Sequence, residues 1–100
     1  MTKNEAITLG IKVMSDINFT YDKDDKIVAI YDNGEKIYQN INTWQVSFLY
    51  GKEDYGRNVD AHITILDNEK TAKKLLFRNG TIDLKYDIEK DKYFIKEKRP

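Results

Sequence analysis

His62 is the one histidine in the chain, and imidazole is the side chain whose proton chemistry falls near neutral pH. Acid–base or nucleophilic catalysis would need a nucleophile or a carboxylate set against it. The serines are Ser15 and Ser47, and neither lies in a Gly-x-Ser-x-Gly elbow. A metal site would need more nitrogen or thiolate ligands than one histidine supplies, and the chain has no cysteine. Strand alternation sends His62 to the face opposite Ala61, Ile63 and Ile65. The expectation is a structural histidine or the polar group of a ligand pocket, with no catalytic residue, no metal and no cofactor.

The run Asp22-Lys23-Asp24-Asp25 hints at calcium, but an EF-hand loop requires Gly at its sixth position and Glu at its twelfth. Counted from Asp22, those places hold Ile27 and Asn33, so the run reads as a solvated acidic turn. Asp32 and Glu35 follow closely and extend it into an acidic patch. A second acidic segment is Gly51-Lys52-Glu53-Asp54-Tyr55-Gly56-Arg57, where two glycines bracket two acids and a tyrosine. Loops held by a rigid sheet often carry recognition, and tyrosine and arginine are enriched in binding hot spots. The same loop reads equally well as a plain connection between strands. Asp22, Asp24, Asp25, Glu53, Asp54 and Tyr55 are therefore the candidate partner-binding residues, suited to a basic cleft such as that of a nuclease toxin. Trp44 either adds aromatic area to that surface or belongs to the core.

Other chemistries lack their residues. The acids are scattered through charged turns, without the fixed pair that glycoside hydrolysis needs. The glycines Gly10, Gly34, Gly51, Gly56 and Gly80 never cluster into a phosphate cradle, and no Gly-Lys-Ser/Thr occurs. The stretch Lys90 to Arg99 mixes lysines with aromatics, as single-strand nucleic-acid binders do. Asp91 and Glu97 weaken its field, and Tyr93-Phe94-Ile95 reads better as an edge strand guarded by lysines. With 17 basic and 17 acidic side chains the formal net charge is zero, which argues against nucleic acid as a partner. An enzyme is not expected.

The elements that position these residues follow from periodicity. Thr2-Lys3-Asn4-Glu5 fits a capping box, and Ala6, Gly10, Val13, Met14 and Ile17 recur at helical spacing. This predicts one amphipathic helix over residues 3–17, ended at Asn18. Period two then takes over. Strands are expected at Lys26 to Tyr31, Glu35 to Gln39, Thr43 to Tyr50, Val59 to Leu66, Leu75 to Phe77, Thr81 to Tyr86 and Tyr93 to Ile95. Asn33-Gly34 and Asn79-Gly80 are expected at two hairpin tips, because Asn-Gly tolerates the positive φ of a type I′ turn. Residues 96–100 read as a charged tail.

One hundred residues with 40% apolar and 34% charged side chains suit one α+β domain over residues 1–100. The N-terminal helix would pack on a curled antiparallel β-meander spanning about 26–95. No apolar run approaches the ~18 residues of a membrane helix, and the start of the chain has no secretory core. The expected location is cytoplasmic, without a membrane partner.

At Trp44-x-Val46-x-Phe48, followed by Ile63-x-Ile65-x-Asp67 and Thr71, the chain resembles PepSY-like and cystatin-like small bacterial domains. The resemblance covers about residues 3–71. It departs in an Asp-to-Thr spacing one residue longer, and in Ala72 where those families have Gly. It implies a cystatin, PepSY or NTF2-like scaffold of the kind used by immunity proteins of bacterial toxin systems, acting by binding. The leading functional expectation is thus a non-enzymatic immunity protein or inhibitor that masks a cognate toxin or enzyme. The alternative is a small-molecule-binding or catalytic domain with a pocket between helix and sheet, lined by His62. A third class is an accessory subunit that forms a homodimer through a sheet edge.

Overall fold

A computed structural model describes residues 1–51 and 59–100. Helix α1 (Lys3–Asp16) begins at its capping box: the Thr2 hydroxyl accepts from the Glu5 N–H at 3.1 Å, and the Glu5 carboxylate accepts from the Thr2 N–H at 2.7 Å. The helix ends where expected. Asn18 takes the left-handed conformation (φ 57°), its N–H donates to Ser15 O, and the Phe19 N–H donates to Met14 O. This is a Schellman stop, in which two otherwise orphaned carbonyls find donors.

Among the described residues six strands follow: β1 (Val28–Tyr38), β2 (Ile41–Tyr50), β3 (Val59–Leu66), β4 (Thr71–Phe77), β5 (Gly80–Asp87) and β6 (Lys92–Arg99). Each pairs antiparallel with the next, in the sheet order β1-β2-β3-β4-β5-β6. The sheet does not close, and the helix packs on one face, so the fold is α+β. Ala6, Val13 and Met14 of the helix are fully buried against Val46, Phe48, Ile63 and Leu75 of the sheet. Gly10 lets the helix come this near, because a Cβ there would stand 2.9 Å from Val46 Cγ1 and 3.1 Å from Phe48 Cζ. The predicted alternation of β2 and β3 holds: Val46 and Phe48 face the core with Ala61, Ile63 and Ile65.

Several boundaries differ from the sequence expectation. Asn33-Gly34 is not a hairpin tip, and the two predicted arms form one bulged strand. The β1–β2 register runs to Asn33↔Asn42, skips, and resumes at Tyr38↔Ile41. The Asp32 carboxylate accepts from the N–H groups of Gly34, Lys36 and Ile37 at 3.2–3.3 Å, which stabilises the bulge instead of a tight turn. Gly34 (φ +91°) is needed there, while the tip falls at Gln39-Asn40 with Asn40 at φ 63°. The second tip lies at Arg78-Asn79, and Gly80 opens β5 opposite Phe77. A Cβ on Gly80 (φ +141°) would overlap the Arg99 carbonyl oxygen.

Strand β4 starts at Thr71 rather than Leu75, with a register skip opposite Thr64/Ile65. The charged tail is not a tail, since β6 pairs with β5 as far as Thr81↔Arg99. The Arg99 guanidinium forks onto the Asp83 carboxylate with Nε to Oδ2 at 3.0 Å and Nη2 to Oδ1 at 2.8 Å. That two-point geometry is one arginine suits especially well.

Candidate functional site

The sheet face turned away from α1 carries the histidine. Ser47 of β2 and His62 of β3 are cross-strand neighbours, and Ser47 Oγ lies 2.7 Å from His62 Nδ1. They line a groove of about 380 Å³ with Lys26, Val28, Ile30, Leu49 and Asp60. A serine at this distance from an imidazole is how a nucleophile meets its base. Acyl transfer also needs N–H donors aimed at the developing oxyanion. Here β2 and β3 are interior strands, so their backbone donors are committed to ladders on both sides. What the groove offers is an oriented imidazole and hydroxyl beside apolar side chains. His62 therefore does not line a pocket between helix and sheet, because it stands on the opposite face.

The bulged end of β1 reaches over the same outer face. The Tyr38 ring lies 5.1 Å from Lys73 Nζ and 5.2 Å from Lys74 Nζ, so it spans from β1 to β4. The threonines of the strands it crosses, Thr43 and Thr64, are fully buried, and the Thr64 hydroxyl donates to Gln45 Oε1 at 3.1 Å.

A half-open hollow of about 530 Å³ lies where the end of α1 meets β6 and the turn before it. Asp16, Ile17, Asp87, Lys90, Lys92 and Tyr93 are among its walls. One Asp16 oxygen accepts from the Tyr93 N–H at 2.9 Å and from the Lys12 ammonium at 3.0 Å. Lys12 also donates to Asp91 O at 2.7 Å, and the Tyr86 hydroxyl donates to the Asp91 carboxylate. The Tyr93 hydroxyl accepts from the buried Ala72 N–H at 3.0 Å. Burial pushes the Asp16 carboxyl up, but the Tyr93 N–H and Lys12 outweigh it and hold it below the ordinary carboxylate value. The Asp16 hydrogen bond raises Lys12. Tyr86 is pushed up to about 12 by its bond to Asp91, and burial raises Tyr93. None of these five residues was a sequence candidate. The i,i+4 pair Lys12/Asp16 was the readable signal, since opposite charges at that spacing share a helix face.

The acidic turn is anchored to the sheet. The Asp24 N–H donates to Asp22 Oδ1 at 2.9 Å, an Asx turn, and the Asp22 N–H donates to Leu49 O at 2.8 Å. Asp24 is exposed and Asp25 partly so. Leu49 lies two residues before Gly51, and Tyr50 pairs with Val59, so this end of the sheet is also where the β2–β3 connection departs and returns. Glu53, Asp54 and Tyr55 lie outside the described residues. Trp44 serves the core side: its Nε1–H donates to Asp67 Oδ1 at 2.9 Å, and its ring packs 5.1 Å from Tyr31.

Among the described residues, no group of three or more His, Asp or Glu side chains could hold a metal ion, and no helix is long and apolar enough to cross a membrane. No protein-family model, curated protein or solved structure matches this chain.

Proposed function

We propose that this chain is a non-enzymatic protein-binding module, an immunity protein or inhibitor that masks a cognate toxin or enzyme. The observation that carries the reading is the hydrogen bond from the Asp22 N–H to Leu49 O, which anchors the acidic turn at the end of the sheet from which the second acidic segment departs. The acidic turn is thereby held to a rigid sheet end, next to the point where the chain runs on from Gly51 into the Glu53-Asp54-Tyr55 segment. The outer groove beside it adds Val28, Ile30 and Leu49 as apolar contact area, with Asp60 at its rim. An apolar patch bordered by charge is the usual anatomy of a protein interface. Acidic groups at the rim would speed association with a basic cleft and make it salt-sensitive. The resemblance to PepSY-like and cystatin-like domains points the same way, as an analogy of scaffold.

The test starts with affinity capture from the native host at low and high salt, which names a stoichiometric partner. Asp22→Asn, Asp24→Asn, Asp25→Asn, Glu53→Gln and Asp54→Asn are then combined, since amides keep the Asx-turn acceptor while removing charge. At least tenfold weaker binding with an unchanged melting temperature is expected. Unaltered affinity would discard the masking surface. A small ligand retained by the pure protein, and lost on Lys92→Ala, would favour a binding pocket at the α1–β6 seam instead.

A further inference from the structure

The two edges of the open sheet are chemically unlike. β6 presents Lys92, Lys96, Lys98 and Arg99 with one acid, Glu97, so a second copy laid against it would meet mostly like charge. On β1 the charges and the bulge are confined to the half from Asp32 on, and the first half, residues 28–31, has neither. Val28 is 40%, Ile30 62% and Tyr31 45% exposed, on a strand that among the described residues has a neighbour on one side only. An apolar strand with a free row of backbone donors and acceptors is a template for another strand.

The order of residues on this edge says which strand fits. From Lys26 to Asp32 the sequence is Lys-Ile-Val-Ala-Ile-Tyr-Asp. Read antiparallel against itself about Ala29, it sets Lys26 opposite Asp32, Ile27 opposite Tyr31, Val28 opposite Ile30, and Ala29 opposite its own copy. Opposed residues in an antiparallel pair point to the same face. Lys26, Val28 and Ile30 share the outer groove, and Ile30 and Asp32 line the next hollow along the same edge, so the charged and apolar pairs fall together on the outer face. Ile27 packs against the core, and Tyr31 lies on that face beside Trp44. Among the described residues neither Lys26 nor Asp32 is in an ion pair, and the Asp32 carboxylate, which accepts from the N–H groups of Gly34, Lys36 and Ile37, would take the partner's ammonium as a further donor. A shift of register by one residue in either sense would pair an outer-face side chain with an inner-face one. A shift by two toward the bulge would set Lys26 opposite Gly34, and leave Asp32 facing Val28.

We propose that two copies of this chain pair through their β1 edges, antiparallel about Ala29, and join their sheets into one continuous sheet. The interface is isologous, and each half contributes the same lysine and the same aspartate, giving two Lys26–Asp32 pairs across the two-fold axis. The acidic turn of the partner surface proposed above adjoins the pairing segment at Lys26, and Val28 and Ile30 of its groove stay on the outer face, so the dimer carries two copies of that surface side by side.

Sedimentation velocity over a concentration series up to about 1 mM reads the association directly. The unmodified chain is expected to pass from monomer to dimer, and added salt to shift the midpoint upward. Lys26→Glu sets like charges opposite one another in both pairs and is expected to weaken the dimer at least about tenfold. Lys26 is exposed and precedes the ladder, so this variant keeps its fold, which circular dichroism checks. Register is read by cysteines, which the chain otherwise lacks. In a mixture of Val28→Cys and Ile30→Cys chains the directly opposed Cα atoms lie about 5 Å apart, within disulfide reach, whereas either variant alone leaves a diagonal pair about 7–8 Å apart. Cross-linking faster in the mixture than in either alone supports the pairing. A monomer at every concentration overturns it and leaves the edge to a foreign strand. A dimer indifferent to Lys26→Glu and to the cysteine mixture also overturns it, since that dimer uses another surface.

Discussion

Removing the Asp16 carboxylate is the sharpest test of how the helix is held to the sheet. Asp16→Ala deprives the part-buried Tyr93 N–H of its acceptor and Lys12 of its ion pair. An unsatisfied donor costs about 1–3 kcal/mol, and an i,i+4 pair contributes about 0.3–0.5 kcal/mol. Two effects oppose this loss. An acid near a helix C-terminus is disfavoured by the dipole by about 0.3–1 kcal/mol, and alanine is the better helix former by up to ~0.7 kcal/mol. The net expectation is a destabilisation of about 1–2 kcal/mol, or a melting temperature lower by roughly 5–15 °C for a chain of this size. Asp16→Asn keeps an acceptor oxygen and loses the charge, so it should cost less than half as much at pH 7. The pH dependence has a definite sign. Because the folded carboxyl sits below its ordinary value, its stabilisation is present above the unfolded pKa of about 4 and is lost as pH falls through the lower folded value. Thermal unfolding of the unmodified chain and Asp16→Asn should therefore converge as the pH falls below about 4. An Asp16→Ala chain that melts with the unmodified one at pH 7 would refute the account. So would a gap between Asp and Asn that persists unchanged at pH 2.

Two further substitutions probe the same architecture. Tyr93→Phe leaves the buried Ala72 N–H without an acceptor and is expected to cost about 1–3 kcal/mol in urea unfolding, with faster hydrogen exchange at Ala72. Gly80→Ala combines a φ of +141° with overlap on the Arg99 carbonyl, so the end of β6 must release. A loss of at least about 2 kcal/mol is expected, together with loss of amide protection near Thr81.

What the sequence made legible was local. The capping box, the Asn18 stop and the alternation of Trp44 to Tyr50 depend on neighbours within a few residues, and all three recur in the structure. Asn33-Gly34 misled because its turn preference was outbid by Asp32, whose carboxylate binds three backbone N–H groups and turns the dipeptide into a bulge. The strand ends at Thr71 and Arg99 were missed because charge and polarity there suggested loops. On an outer face or an edge, polar residues pair as well as apolar ones. The seam of Lys12, Asp16, Tyr86, Asp91 and Tyr93 was out of reach for a different reason. Asp16 and Tyr93 are 77 residues apart, and no periodicity encodes which backbone amide a helical carboxylate will meet.

The order of strands in the sheet has a consequence for how the chain folds during synthesis. Every ladder joins sequence neighbours, so β1 to β5 can pair in the order in which they leave the ribosome, each closing a short loop at little entropic cost. The helix is different. It precedes every strand of the sheet, yet its last turn is fastened by an amide of β6, which follows all the others. Until that strand emerges, α1 can rest on the apolar face of the nascent sheet with its C-terminal turn unfastened. The final strand is thus both the sheet's edge and the clasp of its first element, and damage to it should free the helix while leaving the inner ladders paired.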